Sequence, residues 1–144
     1  MRLPPSVHGE GDHGFVPILI GIARAKGLSA YVGRGLNRWP AVHRFDAARL
    51  YRLAIEQGAT RPVYHAVAEE SVPFKAIAEA IGRRLGLPVT GLPEPEAARH
   101  FDWFARFAAL DAPTSSARTR AALGWEPQEI GLLPDIDREA YFAG

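Results

Sequence analysis

A chain of 144 residues suits one domain, 1–144, and with 47% hydrophobic and 23% charged residues it has the balance of a globular protein, not a disordered one. A net charge of +1 gives no reason to expect nucleic acid or an anionic membrane as a partner. The absence of cysteine excludes disulfides, thiolate catalysis and cysteine-ligated zinc, and the longest apolar run, Phe15 to Ala23, is about half of the ~20 residues that span a bilayer, so a soluble, cytoplasmic protein is expected.

Leu3 to Val7 is apolar but carries Pro4 and Pro5. Proline cannot donate to a ladder, so the stretch reads as an edge strand, a strand end or an extended segment. Gly9, Gly11 and Gly14 follow and spell G-x-G-x-x-G. From Phe15 to Lys26 apolar residues recur at Phe15, Ile18, Leu19, Ile22 and Ala23, a helical spacing, with Pro17 in the first turn where its missing N–H does no harm. Leu28 to Val32 reads as a short strand, Gly33 to Asn37 as a turn, and Trp39 to His43 as extended. Asp46 is expected to cap a helix running to about Gln57.

Pro62 to Ala68 alternates as a strand should, and Ser71 is placed to cap a helix from Pro73 to Leu85 with Phe74, Ile77, Ala78, Ile81 and Leu85 inward. Val89 opens a further short strand. Pro93-Glu-Pro-Glu96, acidic in its first turn, is expected to open a long helix to about Leu110, buried on the side of Phe101, Phe104, Phe107 and Ala108. Ser115 or Ser116 caps a short helix ending at Leu123, Trp125 to Pro127 is extended, and Asp135 to Phe142 reads as a last helix. The order is that of an α/β fold with a small sheet and several helices.

The glycine motif follows a strand and opens a helix, a second strand comes within about 30 residues, and Arg34 lies just beyond it, as a dinucleotide-binding loop requires. Against that reading, a first strand buried on both faces should be free of proline, and Glu10 and Asp12 would put carboxylates beside a pyrophosphate. A strand-to-helix corner that needs glycine for its backbone angles is the preferred reading. Among the five histidines, His8 and His13 flank Glu10 and Asp12, but no helical His-x-x-x-His pair exists and no metal site is expected. His43 and His65 read as framework residues, and His13, at a loop tip, as a substrate contact. Ser6 follows two prolines instead of sitting in a G-x-S-x-G elbow, which argues against a nucleophile.

Three stretches carry a resemblance. Arg2-Leu-Pro-Pro-Ser-Val-His-Gly-Glu-Gly11 resembles the R-P-x-x-V-Y-G-P-G segment of extended short-chain dehydrogenases/reductases, the NAD(P)-dependent epimerase/dehydratase and 3β-hydroxysteroid-dehydrogenase-like superfamily. Gly33-Arg-Gly-Leu-Asn-Arg-Trp-Pro-Ala-Val-His-Arg-Phe-Asp-Ala-Ala48 resembles its G-x-G-x-N … V-H-V-D-D-V-A stretch, and Leu123-Gly-Trp-Glu-Pro127 its L-G-W-x-P. The resemblance implies the C-terminal, substrate-binding portion of a Rossmann-like fold, without the N-terminal dinucleotide-binding half. It implies that Pro4, Pro5, Ser6 and Val7 line the nicotinamide of NAD or NADP, and that Asn37 and Arg38, with His8 where the family usually has tyrosine, face a hydroxyl-bearing small-molecule substrate.

The family's proton-transfer pair, a tyrosine with a lysine four residues later, is not found: Gly35, Ile55 and Ala68 follow Tyr31, Tyr51 and Tyr64 at that distance. No catalytic residue is therefore assigned. The chain is expected to be inactive alone, to bind the cofactor weakly alone, and to be a fragment or a mis-started product completed by an N-terminal domain or by a homo-oligomer. A stand-alone, non-enzymatic ligand-binding or dimerisation module is the alternative, and a compact dinucleotide-binder built on Gly9, Gly11 and Gly14 a third reading.

Overall fold

The computed structural model describes residues 1–143. Its elements are β1 (Ser6–His8), α1 (Phe15–Lys26), β2 (Ser29–Val32), β3 (Arg38–His43), α2 (Arg44–Glu56), β4 (Glu69–Pro73), α3 (Phe74–Leu85), β5 (Val89–Leu92), α4 (Glu94–Phe101), α5 (Ala105–Ala108), α6 (Ala117–Leu123) and α7 (Leu132–Ile136). Single 3₁₀ turns cover Asp102–Phe104 and Glu139–Tyr141.

The strands form two small sheets. One is mixed, in the order β1-β3-β4; the other is the parallel pair β2-β5. Parallel pairing sets Ser6 beside Ala41 and His8 beside His43, so β1 and β3 end level. Strand β4 runs antiparallel to β3, and the register slips between Trp39 and Ala41. Pro40 occupies that irregularity, where a residue without an N–H leaves no gap in the ladder.

Two hydrophobic clusters flank these sheets. In the larger, Trp39 meets Phe15, Phe74 and Phe104 at ring-centroid distances of 5.7, 5.0 and 6.2 Å. Helix α3 lays Phe74, Ile77, Ala80 and Ile81 into it. Gly82 lets that helix approach β5, because a Cβ there would lie 2.2 Å from Val89 Cγ2. The smaller cluster joins Val42, Leu50, Tyr64, Ala66, Leu123 and Trp125.

Several sequence expectations change. Pro62 to Ala68 forms no strand and, among the described residues, pairs through a single isolated bridge, His65 with Arg2; the strand is the more polar β4 just after it. Ser71 therefore lies inside a strand, and α3 starts at Phe74, after Pro73 at the cap position, without a side-chain cap. The long helix breaks at Asp102, whose φ of 51° no α-helix accommodates, and only α4 and α5 remain helical on either side of a 3₁₀ turn. The last helix is α7, displaced toward the N-terminus, followed by a 3₁₀ turn. Asp46 does not cap α2. His43 does, its Nδ1 accepting from Phe45 N at 3.3 Å, while the buried Asp46 carboxylate accepts from the backbone of Gln128 and Glu129 at 2.8 and 3.0 Å and pairs with Arg49.

Candidate functional site

In parallel sheets ligands gather where strands end. At the ends of β1 and β3, His8 and His43 meet edge-on, centroids 5.3 Å apart. His8 Nδ1 donates to Asp135 Oδ2 at 2.7 Å, and both side chains are 1% exposed. This bond joins α7 to β1 and fixes the His8 proton on Nδ1. His43 uses Nδ1 as an acceptor, so its proton sits on Nε2. Burial, and then the neighbouring His8, hold the His43 imidazole below its usual value, in the neutral form.

The loop after β1 folds onto the chain's own last turn. Gly9 N donates to the Tyr141 hydroxyl at 3.0 Å, and that hydroxyl donates to Asp12 Oδ2 at 3.1 Å. Asp12 Oδ1 accepts from Gly14 N at 2.6 Å. Burial pushes the Asp12 carboxyl up, against the bonds from Gly14 and Tyr141. Burial also drives the Tyr141 phenol far up, the Gly9 N–H opposing and the Asp12 carboxylate adding to it. Gly9 has a φ of 134°, and a Cβ there would stand 3.0 Å from His43 Nε2. The glycines thus make a corner over His43, and the N–H groups of Gly9 and Gly14 are already engaged within the chain. Gly9 to His13 and Tyr141 border a recess of about 280 Å³.

A wider cleft of about 870 Å³ opens beside the start of β3, between the turn after β2 and α3. Tyr31, Arg34, Arg38, Lys75 and Glu79 line it. Lys75 Nζ lies 5.6 Å from the centre of the Tyr31 ring. Its cationic, partly aromatic lining suits an anionic or hydroxyl-rich ligand.

The residues expected to form a site divide among these places. His13 is exposed at the recess. His8 is buried behind it. Asn37 Nδ2 donates to the carbonyls of Ala108 and Leu110 at 2.8 and 3.1 Å, and Arg38 forms a two-pronged pair with Asp111 at the cleft mouth. That pair raises the Arg38 value and lowers that of Asp111 through their hydrogen bond. Pro5 and Val7 are half-buried, while Pro4 and Ser6 are buried. Ser6 Oγ has no hydrogen-bond partner among the described residues. Strand β1 pairs only with β3, and its opposite edge is free of any strand among the described residues. For a dinucleotide these residues fit one apolar wall beside a free sheet edge, while in the glycine loop the N–H groups of Gly9, Asp12 and Gly14 are committed within the chain. Tyr31, Lys75, Asp135 and Tyr141 were not singled out by sequence. Tyr31 and Lys75 stand in ordinary strand and helix positions, and the bonds from His8 to Asp135 and from Gly9 to Tyr141 span more than 120 residues.

Among the described residues no helix is long and apolar enough to cross a membrane, and no group of three or more His, Asp or Glu is placed to hold a metal ion. No protein-family model matches the chain. It is 52% identical over 142 residues to the uncharacterized protein C2A9.02 of Schizosaccharomyces pombe, covering 99% of this chain and 48% of that protein. It is 54% identical over 136 residues to the uncharacterized protein YLL056C of Saccharomyces cerevisiae, covering 94% and 46%. The chain thus spans about half the length of the curated relatives it matches.

Among solved structures it is similar to DesIV, a dTDP-glucose 4,6-dehydratase of Streptomyces venezuelae with NAD and TYD bound, with a TM-score of 0.65 at 17% identity over 98% of this chain and 42% of that one. It is also similar to the Thermus thermophilus UDP-glucose 4-epimerase complex with NAD, with a TM-score of 0.59 at 18% identity over 94% and 43%. MoeE5 in complex with UDP-glucose and NAD gives 0.62 at 16% identity over 96% and 44%. The chain shares the fold of part of these Rossmann-like proteins.

Proposed function

We propose that the chain is the C-terminal, substrate-side portion of an NAD(P)-dependent oxidoreductase or epimerase acting on a hydroxyl-bearing small molecule. The observation that carries this reading is the likeness of nearly the whole chain to less than half of each NAD-bound neighbour. The free edge of β1 supports it: a parallel strand is ordinarily covered on both sides, and here one neighbour is lacking among the described residues. Pro5 and Val7, backed by Pro4 and Ser6, would form one side of the nicotinamide pocket. Bound NAD(P) supplies hydride transfer. The cleft lined by Arg34, Arg38 and Lys75 would hold the substrate, with Asn37 and the Asp111 carboxylate setting the direction of Arg38. His13 would reach the substrate from the recess, and His8, held by Asp135, would keep the corner beneath it in place. The proton-transfer pair would come from the complementing half, so the chain alone is inactive.

The test is to titrate the 144-residue chain with NADH and NADPH by fluorescence, alone and after co-expression with the unmatched part of the Saccharomyces cerevisiae relative. Binding only in the co-expressed pair is expected. Micromolar binding by the chain alone, abolished by Gly11→Glu, would overturn the reading in favour of a compact dinucleotide-binder.

A further inference from the structure

A third concavity, of about 750 Å³, shares no lining residue with the recess or the cleft and lies beside the bridge between Arg2 and His65. Arg2 stands six residues before His8, up to about 20 Å along an extended chain from the strand ends. The groove is bordered by Arg2, Arg61 and Arg118, and no Asp or Glu lines it. Its size is that of a small-molecule site.

Some arginines of the chain are neutralised by carboxylates. Arg38, Arg49, Arg52, Arg83 and Arg138 each pair with a carboxylate. Arg120 donates to Ser116 Oγ and the Ala68 carbonyl. Arg2, Arg61 and Arg118 form no ion pair among the described residues, although the chain carries 17 basic and 16 acidic side chains. Three cations around one hollow repel one another, and an anion placed among them removes that repulsion.

The floor offers neutral donors as well. Thr119 Oγ1 accepts from His65 N at 2.8 Å, and Ser115 Oγ accepts from Ala117 N at 3.2 Å. Each hydroxyl oxygen is held in place while its own proton is left to donate. His65 Nδ1 donates to the Ser115 carbonyl at 3.0 Å, which ties the two sides of the groove together. Pro62 and Val63 add an apolar flank.

We propose that this groove binds a phosphate-bearing small anion, at a site separate from the cofactor wall and the substrate cleft. Guanidinium forks match the oxygens of a phosphate, and the two hydroxyls supply further donors. An acidic peptide segment is the competing occupant. It has charge but not the compact tetrahedral geometry that three guanidiniums and two short hydroxyls around one hollow can surround.

The test is calorimetric titration of the full chain at low ionic strength with inorganic pyrophosphate, AMP and a poly-glutamate peptide. Pyrophosphate should bind, and Arg61→Gln with Arg118→Gln should weaken it about tenfold or more. Arg99→Gln, on the exposed side of α4 and outside the groove, should leave it unchanged. Tighter binding of AMP than of inorganic pyrophosphate would assign the site to a phosphomonoester with an apolar body; the reverse order would assign it to a free phosphate species. Amide shifts in NMR spectra should centre on His65 and Thr119, a readout that also reports folding of the variant. Equal pyrophosphate affinity in the double variant, or none in either protein, overturns the proposal. So does poly-glutamate binding that depends on the two arginines while pyrophosphate does not bind.

Discussion

Around β2, β5, α1, α3 and α4, large side chains from many elements meet: Phe15, Trp39, Phe74, Phe101 and Phe104 stack edge to face, and each parallel strand is covered by helices. Around β1, β3 and α2 the core is mostly alanine, valine and leucine with Tyr64 and Trp125, and the sheet ends at a free edge. Apolar surface is left open there too, with Ile55 77% exposed on α2 and Leu3, Tyr51 and Val63 also exposed. The aromatic side has its own exposed rim at Trp103, Phe107 and Leu110, but that rim belongs to short helical turns and not to a sheet edge. The first region packs its strands under large aromatic rings; the second, among the described residues, leaves the outer edge of β1 and several apolar side chains open.

The largest effect is expected in the aromatic region. Phe74→Ala removes a fully buried ring and should lower stability by about 4 kcal/mol, measured by urea denaturation. A loss under about 1 kcal/mol would mean that this cluster is not the self-sufficient half. Next comes the seam. Asp46→Ala strips the acceptor from the Gln128 and Glu129 N–H groups and leaves Arg49 without that partner, for about 3 kcal/mol, and Asp46→Asn should recover part of it.

A smaller effect concerns pH. His43 titrates lower in the folded chain than in the unfolded one, so the unfolded state binds its proton more readily. That contribution is fully present above about pH 6.5 and is lost as pH falls below it. His8, Asp135, Glu129 and Asp46 face His43, and replacing it with Asn should flatten the rise in urea midpoint between pH 5.5 and 7.5. An unchanged slope would mean that other groups set it. The smallest effect is Ile55→Ser, within about 0.5 kcal/mol for the chain alone. The same change should weaken association with the unmatched part of a yeast relative, measured by co-purification. If it unfolds the chain instead, the open region is a core in its own right.

Local signals were legible where local forces decide. The spacing of apolar residues gives α1 and α3 within a residue of their bounds, and the Val89 strand is where it was expected. Strand β4 was missed because its Glu-Glu-Ser start is polar and only pairing with β3 makes it a strand, while the better alternation of 62–68 found a single bridge. The break at Asp102 has no breaker residue to announce it. Asp46 was recognised as structural, but its partners lie more than 80 residues on, and His43 took the cap. At the candidate site, sequence marked the glycine corner and the Asn37-Arg38 pair, whereas Lys75 beside Tyr31 is a product of tertiary packing.

The bond between His8 and Asp135 closes a loop of 127 residues. Contacts so far apart in the chain form late, because bringing the ends together costs conformational entropy before it is rewarded. During synthesis β1 emerges well before α7, and its buried histidine has to wait for residue 135 before it finds its carboxylate. The aromatic cluster, assembled largely from residues 15–108, can gather in the meantime. The open half of the molecule is therefore also its last to settle, and a nascent chain passes through a stage in which β1 is free to pair elsewhere.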